Sequence, residues 1–169
     1  MNTGQMLLAT GALVLLGTTI ITINRMYGQQ GTIIRQTEIG VYAISLATSL
    51  IEEASGQNFD ENTVNDAVTS TSSLTAANNL GSETGETTTP VSTANFDDFD
   101  DYNNLLYGMK ISGVDSFTIR SSVYYVVDTS PTVKVTTKTW FKKMDVSVSS
   151  TATQDTIRMS YIFSYFNFR

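Results

Sequence analysis

The sequence predicts an α+β protein. It has one long N-terminal helix, a polar connecting segment, and a C-terminal antiparallel sheet of three to four strands packed on the helix's second half. Three observations carry this expectation. The chain has no Lys, Arg, Asp or Glu before Arg25. An amphipathic, proline-free pattern then continues to Ser55. Period-two alternation of β-branched and aromatic residues fills much of residues 109–169, which is the signature of half-buried strands.

From Met6 to Ile23 every residue is apolar, Gly or Thr. A membrane-crossing helix needs roughly 17–25 such residues, so this stretch is long enough to span a bilayer. Gly11, Gly17, Thr10, Thr18, Thr19 and Thr22 interrupt it and make it a soft span. No basic residue precedes Met6, so a cleaved secretory signal is not expected. In residues 25–55, Ile34, Thr37, Val41, Ile44, Thr48 and Ile51 step by three and four along one face, widened by Ile39, Tyr42, Ala43, Leu46 and Leu50. Arg35, Gln36, Glu38, Glu52 and Glu53 supply the polar face, and Gly56 is placed for a left-handed C-cap. The expectation is one helix of about fifty residues and, at about 1.5 Å per residue, roughly 80 Å long. Residues 1–24 form its hydrophobic half and residues 25–55 its amphipathic half.

Residues 56–108 read as an acidic connecting segment rich in Ser, Thr, Asn and Asp. Eleven acids lie between Glu52 and Asp101, and no Lys or Arg lies between Gln36 and Met109. One markedly acidic face is therefore expected, with solvation its ordinary meaning. A short helix started by Asp60 or Asn62 and an exposed loop around residues 81–94 are the local features. Asp97, Asp98, Asp100, Asp101, Asn103 and Asn104 crowd oxygens onto one turn. Ca²⁺ takes about 6–8 oxygens at roughly 2.3–2.6 Å, so these residues are the candidate cation ligands. Their spacing lacks the glycine and distal glutamate of an EF-hand, and capping of backbone N–H groups is the expected role. The run from Thr84 to Thr93 offers hydroxyls for O-linked sugars.

In residues 109–169, Phe117, Ile119, Ser121, Val123, Tyr125 and Val127 share one strand face. Trp140, Met144, Val146 and Val148 share another, opposite Lys143, Asp145 and Ser147. Ile157, Met159, Tyr161, Phe163 and Tyr165 share a third. The stretches 128–132 and 149–155 are the expected turns, giving a meander whose apolar face is covered by Val41, Ile44, Ile51 and their neighbours.

The chain contains no His and no Cys. Imidazole bases, thiol nucleophiles, disulfides and most zinc sites are thereby excluded. No Gly-rich phosphate loop or nucleophile elbow occurs, and an enzyme is not expected. Lys134, Lys138, Lys142, Lys143 and Arg120 lie in the strand region with Trp140 and Tyr124, a combination able to stack bases. A net charge of −6 and a pI near 4.4 argue against nucleic acid. Protection of strand edges, or contact with the acidic loop of an adjacent copy, is the expected use of those lysines.

This order of elements resembles a type IV pilin or pseudopilin. The stretch FDDFDDYNN, Phe96–Asn104, is similar to an acidic Tyr-Asn motif that precedes the sheet in some pilin-like proteins. WFKKMDVSVSS followed by DTIRMSYIFSYF is similar to their closing strands. The resemblance implies a structural subunit of an extracellular filament that polymerises with copies of itself. Residues 1–24 would then anchor it in the inner membrane before assembly by the pilus machinery, and form the filament core afterwards. Leu7, Leu8, Leu13, Val14, Leu15, Leu16, Ile20, Ile21 and Ile23 are the implied helix contacts. A minor pseudopilin of a secretion system, or a monomeric membrane-tethered surface domain, is the alternative. The family's mature chains carry an N-methylated first residue and a nearby glutamate that meets a neighbour's terminal amine. With Met1 as the first residue, Gln5 stands in that glutamate's place, able to accept a hydrogen bond without compensating charge. With a leader ending at Gly4, Ala9 stands there instead. The proline that commonly kinks the family's helix is absent, leaving Gly11 and Gly17 as soft points.

Overall fold

The structure is a computed structural model that describes residues 2–86, 91–153 and 155–168. The chain divides into two units, Met1–Glu38 and Ile39–Arg169, and the helix α1 (Thr3–Ser55) contributes residues to both.

In the first unit, every described residue is exposed except the half-buried Gly17. The threonine hydroxyls are satisfied within the helix. Thr10 donates its hydroxyl to the Met6 carbonyl, Thr18 and Thr19 both donate to Leu15, and Thr22 donates to Thr18. A hydroxyl bonded back into its own helix carries no unsatisfied donor into an apolar surround.

In the second unit, α1 buries Ile39, Ala43, Ala47, Leu50, Ile51 and Ala54. Ile39, Ala43, Leu50 and Ile51 belong to the predicted face, and the correction concerns Val41 and Ile44. Val41 and Ile44 are 57% and 48% exposed, so the covering face is rotated away from them and built largely of alanines. Period alone could not choose between two faces that are both apolar. The helix ends at Ser55, where the Gly56 N–H donates to the Glu52 and Glu53 carbonyls. Gly56 is not among the positive-φ glycines, which are Gly81, Gly85 and Gly113, so the expected left-handed cap is not formed.

The sheet has five antiparallel strands: β1 (Leu106–Ile111), β2 (Asp115–Val127), β3 (Ser130–Val135), β4 (Phe141–Ser150) and β5 (Thr156–Ser164). Their order is β1-β2-β4-β5, with β3 folding back onto the end of β2. The predicted single turn at 128–132 is instead a tight turn at Asp128–Thr129 leading into β3. Strand β1 starts inside the predicted connecting segment. Gly113 turns β1 into β2 at φ 83°, a conformation that favours glycine.

The inward face follows the predicted parity as far as Tyr125; Val127, predicted inward, is half-buried while Val126 is buried. Ile119 lies opposite Val148, Ser121 opposite Val146, Val123 opposite Met144, and Tyr125 opposite Lys142. Lys142 in turn faces Phe163 on β5. The connecting segment is not a surface loop throughout. It buries Phe59, Leu74, Leu80, Phe96, Phe99, Tyr102 and Leu105 in the core. Its two ends are joined, with the Asn58 N–H donating to the Asp97 carbonyl and the Phe99 N–H to that of Asn58.

Candidate functional site

The exposed apolar surface of α1 is the first candidate. Leu7, Leu8, Leu13, Val14, Leu15, Leu16, Ile20, Ile21 and Ile23 are each between 45% and 77% exposed. Met26, Tyr27, Ile33 and Ile34 continue the exposure beyond Arg25. A monomer in water rarely shows an apolar patch above roughly 300–600 Å², and this run needs a lipid or protein cover. The helix is long and apolar enough to cross a membrane. Gln5 is exposed in the first turn, its N–H donating to the Asn2 carbonyl. Met1 lies outside the described residues, as do positions 87–90 of the proposed glycan run.

The second candidate is a charge cluster buried beneath the connecting segment. Lys142, Asp60, Asp98 and Asp100 are each 0% exposed. Lys142 corrects the reading of the lysines as surface groups, because even-numbered positions of β4 point inward with Met144, Val146 and Val148. Its Nζ donates to the Phe59 carbonyl at 2.7 Å, to Asp60 Oδ2 at 2.8 Å, and to Asp100 Oδ1. It also lies over the ring of Phe59, 4.7 Å from the centroid, and near that of Tyr125. Burial works to raise the Asp60 pKa, but Lys142 and the donors of Thr75 outweigh it and hold the carboxyl below its ordinary value. Asp60 also caps the 3-10 turn Glu61–Thr63 through the Asn62 N–H and accepts from the Tyr125 hydroxyl.

The acidic motif divides: Asp98 and Asp100 are in the core, while Asp97 and Asp101 lie with Glu86. Asp98 Oδ1 accepts from the backbone of Asp100 and Asp101, and Asp101 Oδ2 accepts from that of Asp97 and Asp98. These are capping bonds of the expected kind. Burial, then the neighbouring Asp100, pushes Asp98 up to about 9. Asn103 spends both ends of its amide, donating to the Leu80 carbonyl and accepting from the Val123 N–H. Of the predicted cation ligands, Asp97 and Asp101 come together, joined by Glu86, with one oxygen of each within 4.8 Å of the others. Glu61, Glu83 and Glu86 form a second such group. Sequence reading missed these three glutamates, because the chain's path alone brings residue 61 beside residues 83–86. A hard cation accepts such oxygens.

Burial, then the Glu86, Asp101 and Glu61 carboxylates, pushes Glu83 up to about 8, and burial raises Asp101 to about 6. These groups hold protons in the folded chain that the unfolded chain has already released. The stability that these two groups supply is therefore fullest below the unfolded value near 4, and is lost as pH rises through about 6 and then about 8. The urea midpoint is expected to be higher at about pH 5 than at about pH 8.5. A midpoint that rises over that interval contradicts the assignment.

Of the remaining members of the predicted base-stacking set, Arg120 is exposed and three others are held within the fold. Lys138 donates to the Ser72 and Leu74 carbonyls, the Tyr124 hydroxyl donates to Asp145, and Trp140 stacks on Tyr165 at 4.7 Å between centroids. No protein-family model matches the chain, and neither a curated protein nor a solved structure matches it.

Proposed function

We propose that the chain is a structural subunit of a type IV pilus-like filament at the cell surface, assembled from copies of itself through the first half of α1. Before assembly the same residues hold it in the inner membrane, from which the pilus machinery extracts it. The observation that carries this reading is the exposed, charge-free apolar run of residues 3–24, extended past Arg25 by Met26, Tyr27, Ile33 and Ile34. A simple anchor explains the first part alone. Helices packed side by side explain both, and Gly11 and Gly17 leave room for their close approach. The span's length also fits the alternative of a membrane-tethered monomer or minor pseudopilin.

A benzophenone side chain placed at Leu13 distinguishes them. In surface material from cells, illumination is expected to yield a covalent ladder of multiples of the chain. Adducts to lipid alone contradict the filament reading.

A further inference from the structure

The charge cluster around Lys142 has a chemical consequence that does not depend on whether the chain polymerises. We infer that Lys142 and Asp100 condense into an intramolecular isopeptide bond, an amide between the lysine Nζ and the aspartate Cγ. The bond ties the 3-10 turn Asp100–Tyr102 to strand β4.

Four observations carry it. Nζ lies in hydrogen-bond contact with the Asp100 carboxyl, and both side chains are sealed from solvent. The surround is aromatic. Phe59 and Tyr125 flank the amine, and Phe99 and Phe163 pack on each other at 4.9 Å between centroids beside the same turn. Three buried aspartates meet one buried lysine, more carboxylates than an ion pair uses. Finally, the two nearest acids are held differently. Asp60 is saturated by Asn62, Thr75 and Tyr125 donors. Asp100 Oδ2 and Asp98 Oδ2 have no partner among the described residues.

That asymmetry assigns the roles. A carboxylate bonded on every side stays an anion and resists attack, so Asp60 anchors the amine and does not react. Asp100, raised above its ordinary value by burial, presents the neutral acid whose carbonyl carbon an amine can attack. In a dry site a neutral amine and acid compete with the separated charges, because burial penalises both ions. An amine freed of its proton is the nucleophile.

The balance closes without an oxidant or other co-reactant. Of the three ammonium protons, one passes to the Asp100 carboxylate to give its neutral acid, and one remains on the amide nitrogen. The third leaves with the Asp100 hydroxyl as water, relayed by the neighbouring Asp98 carboxyl acting as general acid. One C–N bond forms and one C–O bond breaks. The product removes a buried ammonium and an orphaned buried oxygen. The aromatic shell that excludes water also protects the amide from hydrolysis.

Tryptic digestion of the denatured full-length chain tests this. The bond blocks cleavage after Lys142 and is expected to give one branched species. It joins residues 36–110 to residues 139–143 and is lighter by one water than the two linear peptides together. Asp100→Asn is expected to give the same branched product, with ammonia leaving in place of water, whereas Asp100→Ala gives only linear peptides. Asp98→Asn is expected to slow the bond's appearance on the order of a hundredfold, the weight of one general acid. A wild-type chain that yields the linear 139–142 peptide and no branched species overturns the inference. So does a branch that fragmentation maps to Asp60.

Discussion

A chain carrying Leu13→Asp or Leu16→Asp is expected to form no filaments. Both leucines stand in the charge-free stretch, 68% and 58% exposed, with no cation among residues 1–24. Covering one leucine completely contributes roughly 1.5–3 kcal/mol, and in a helical polymer every copy repeats the contact. An aspartate reverses the sign. It forfeits that burial and brings an unpaired charge into an apolar surround, at a cost of at least about 2.5–3.5 kcal/mol even on the lenient membrane-insertion scale. The second unit, Ile39–Arg169, contains neither residue, so its fold should survive. Surface material examined for filaments, alongside circular dichroism of the same chain, separates failed assembly from failed folding. Normal fibres from either variant would show that this face of α1 is not the contact.

Lys142→Met is expected to destabilise the second unit by about 3–5 kcal/mol, the usual cost of leaving a buried charge without its partner. The burden falls on Asp60, which is fully buried and bound by donors that favour its ionised form. Lys143, the adjacent residue, is the control. Its ion pair with Asp145 is only partly shielded, at 14% and 42% side-chain exposure, and Lys143→Met should cost no more than about 1 kcal/mol. Trp140, the single tryptophan, packs against Tyr165 and Phe166 and reports the urea transition. Equal losses from the two lysines would mean that Lys142 does not sit in the core as described. Where the isopeptide bond has formed, Lys142→Met removes a crosslink as well, and the loss grows with the loop that the bond closes.

Those two lysines also show how far the sequence could be read. The α+β class and the inward parity of β2, β4 and β5 were legible, because alternation with period two survives without any tertiary information. Lys142 shares that parity with Met144 and Val146, so its inward position was visible in the same pattern. Residue type argued for solvent and prevailed over position. On α1, Ile39, Ala43, Leu50 and Ile51 were legible as core, whereas Ala47 and Ala54 were not, because Val41 and Ile44 are more hydrophobic and period alone does not choose between two apolar faces. Strand β3 escaped notice because Pro131 and the exposed Thr132, Val133 and Lys134 give it no apolar face. In the acidic segment, counting charges suggested a surface, while Phe59, Phe96, Phe99 and Tyr102 between the acids draw part of the segment inward. The apolar run of α1 was plain from composition alone. What covers it lies outside the chain, and one chain's sequence does not contain it.

That cover is what gives the long helix a purpose, and cryo-electron microscopy of material sheared from the cell surface addresses it most directly. The expected result is a helical filament whose axis is lined by residues 3–24 of successive copies. Finding the chain only as monodisperse particles, its helix embedded in detergent or lipid, would contradict it.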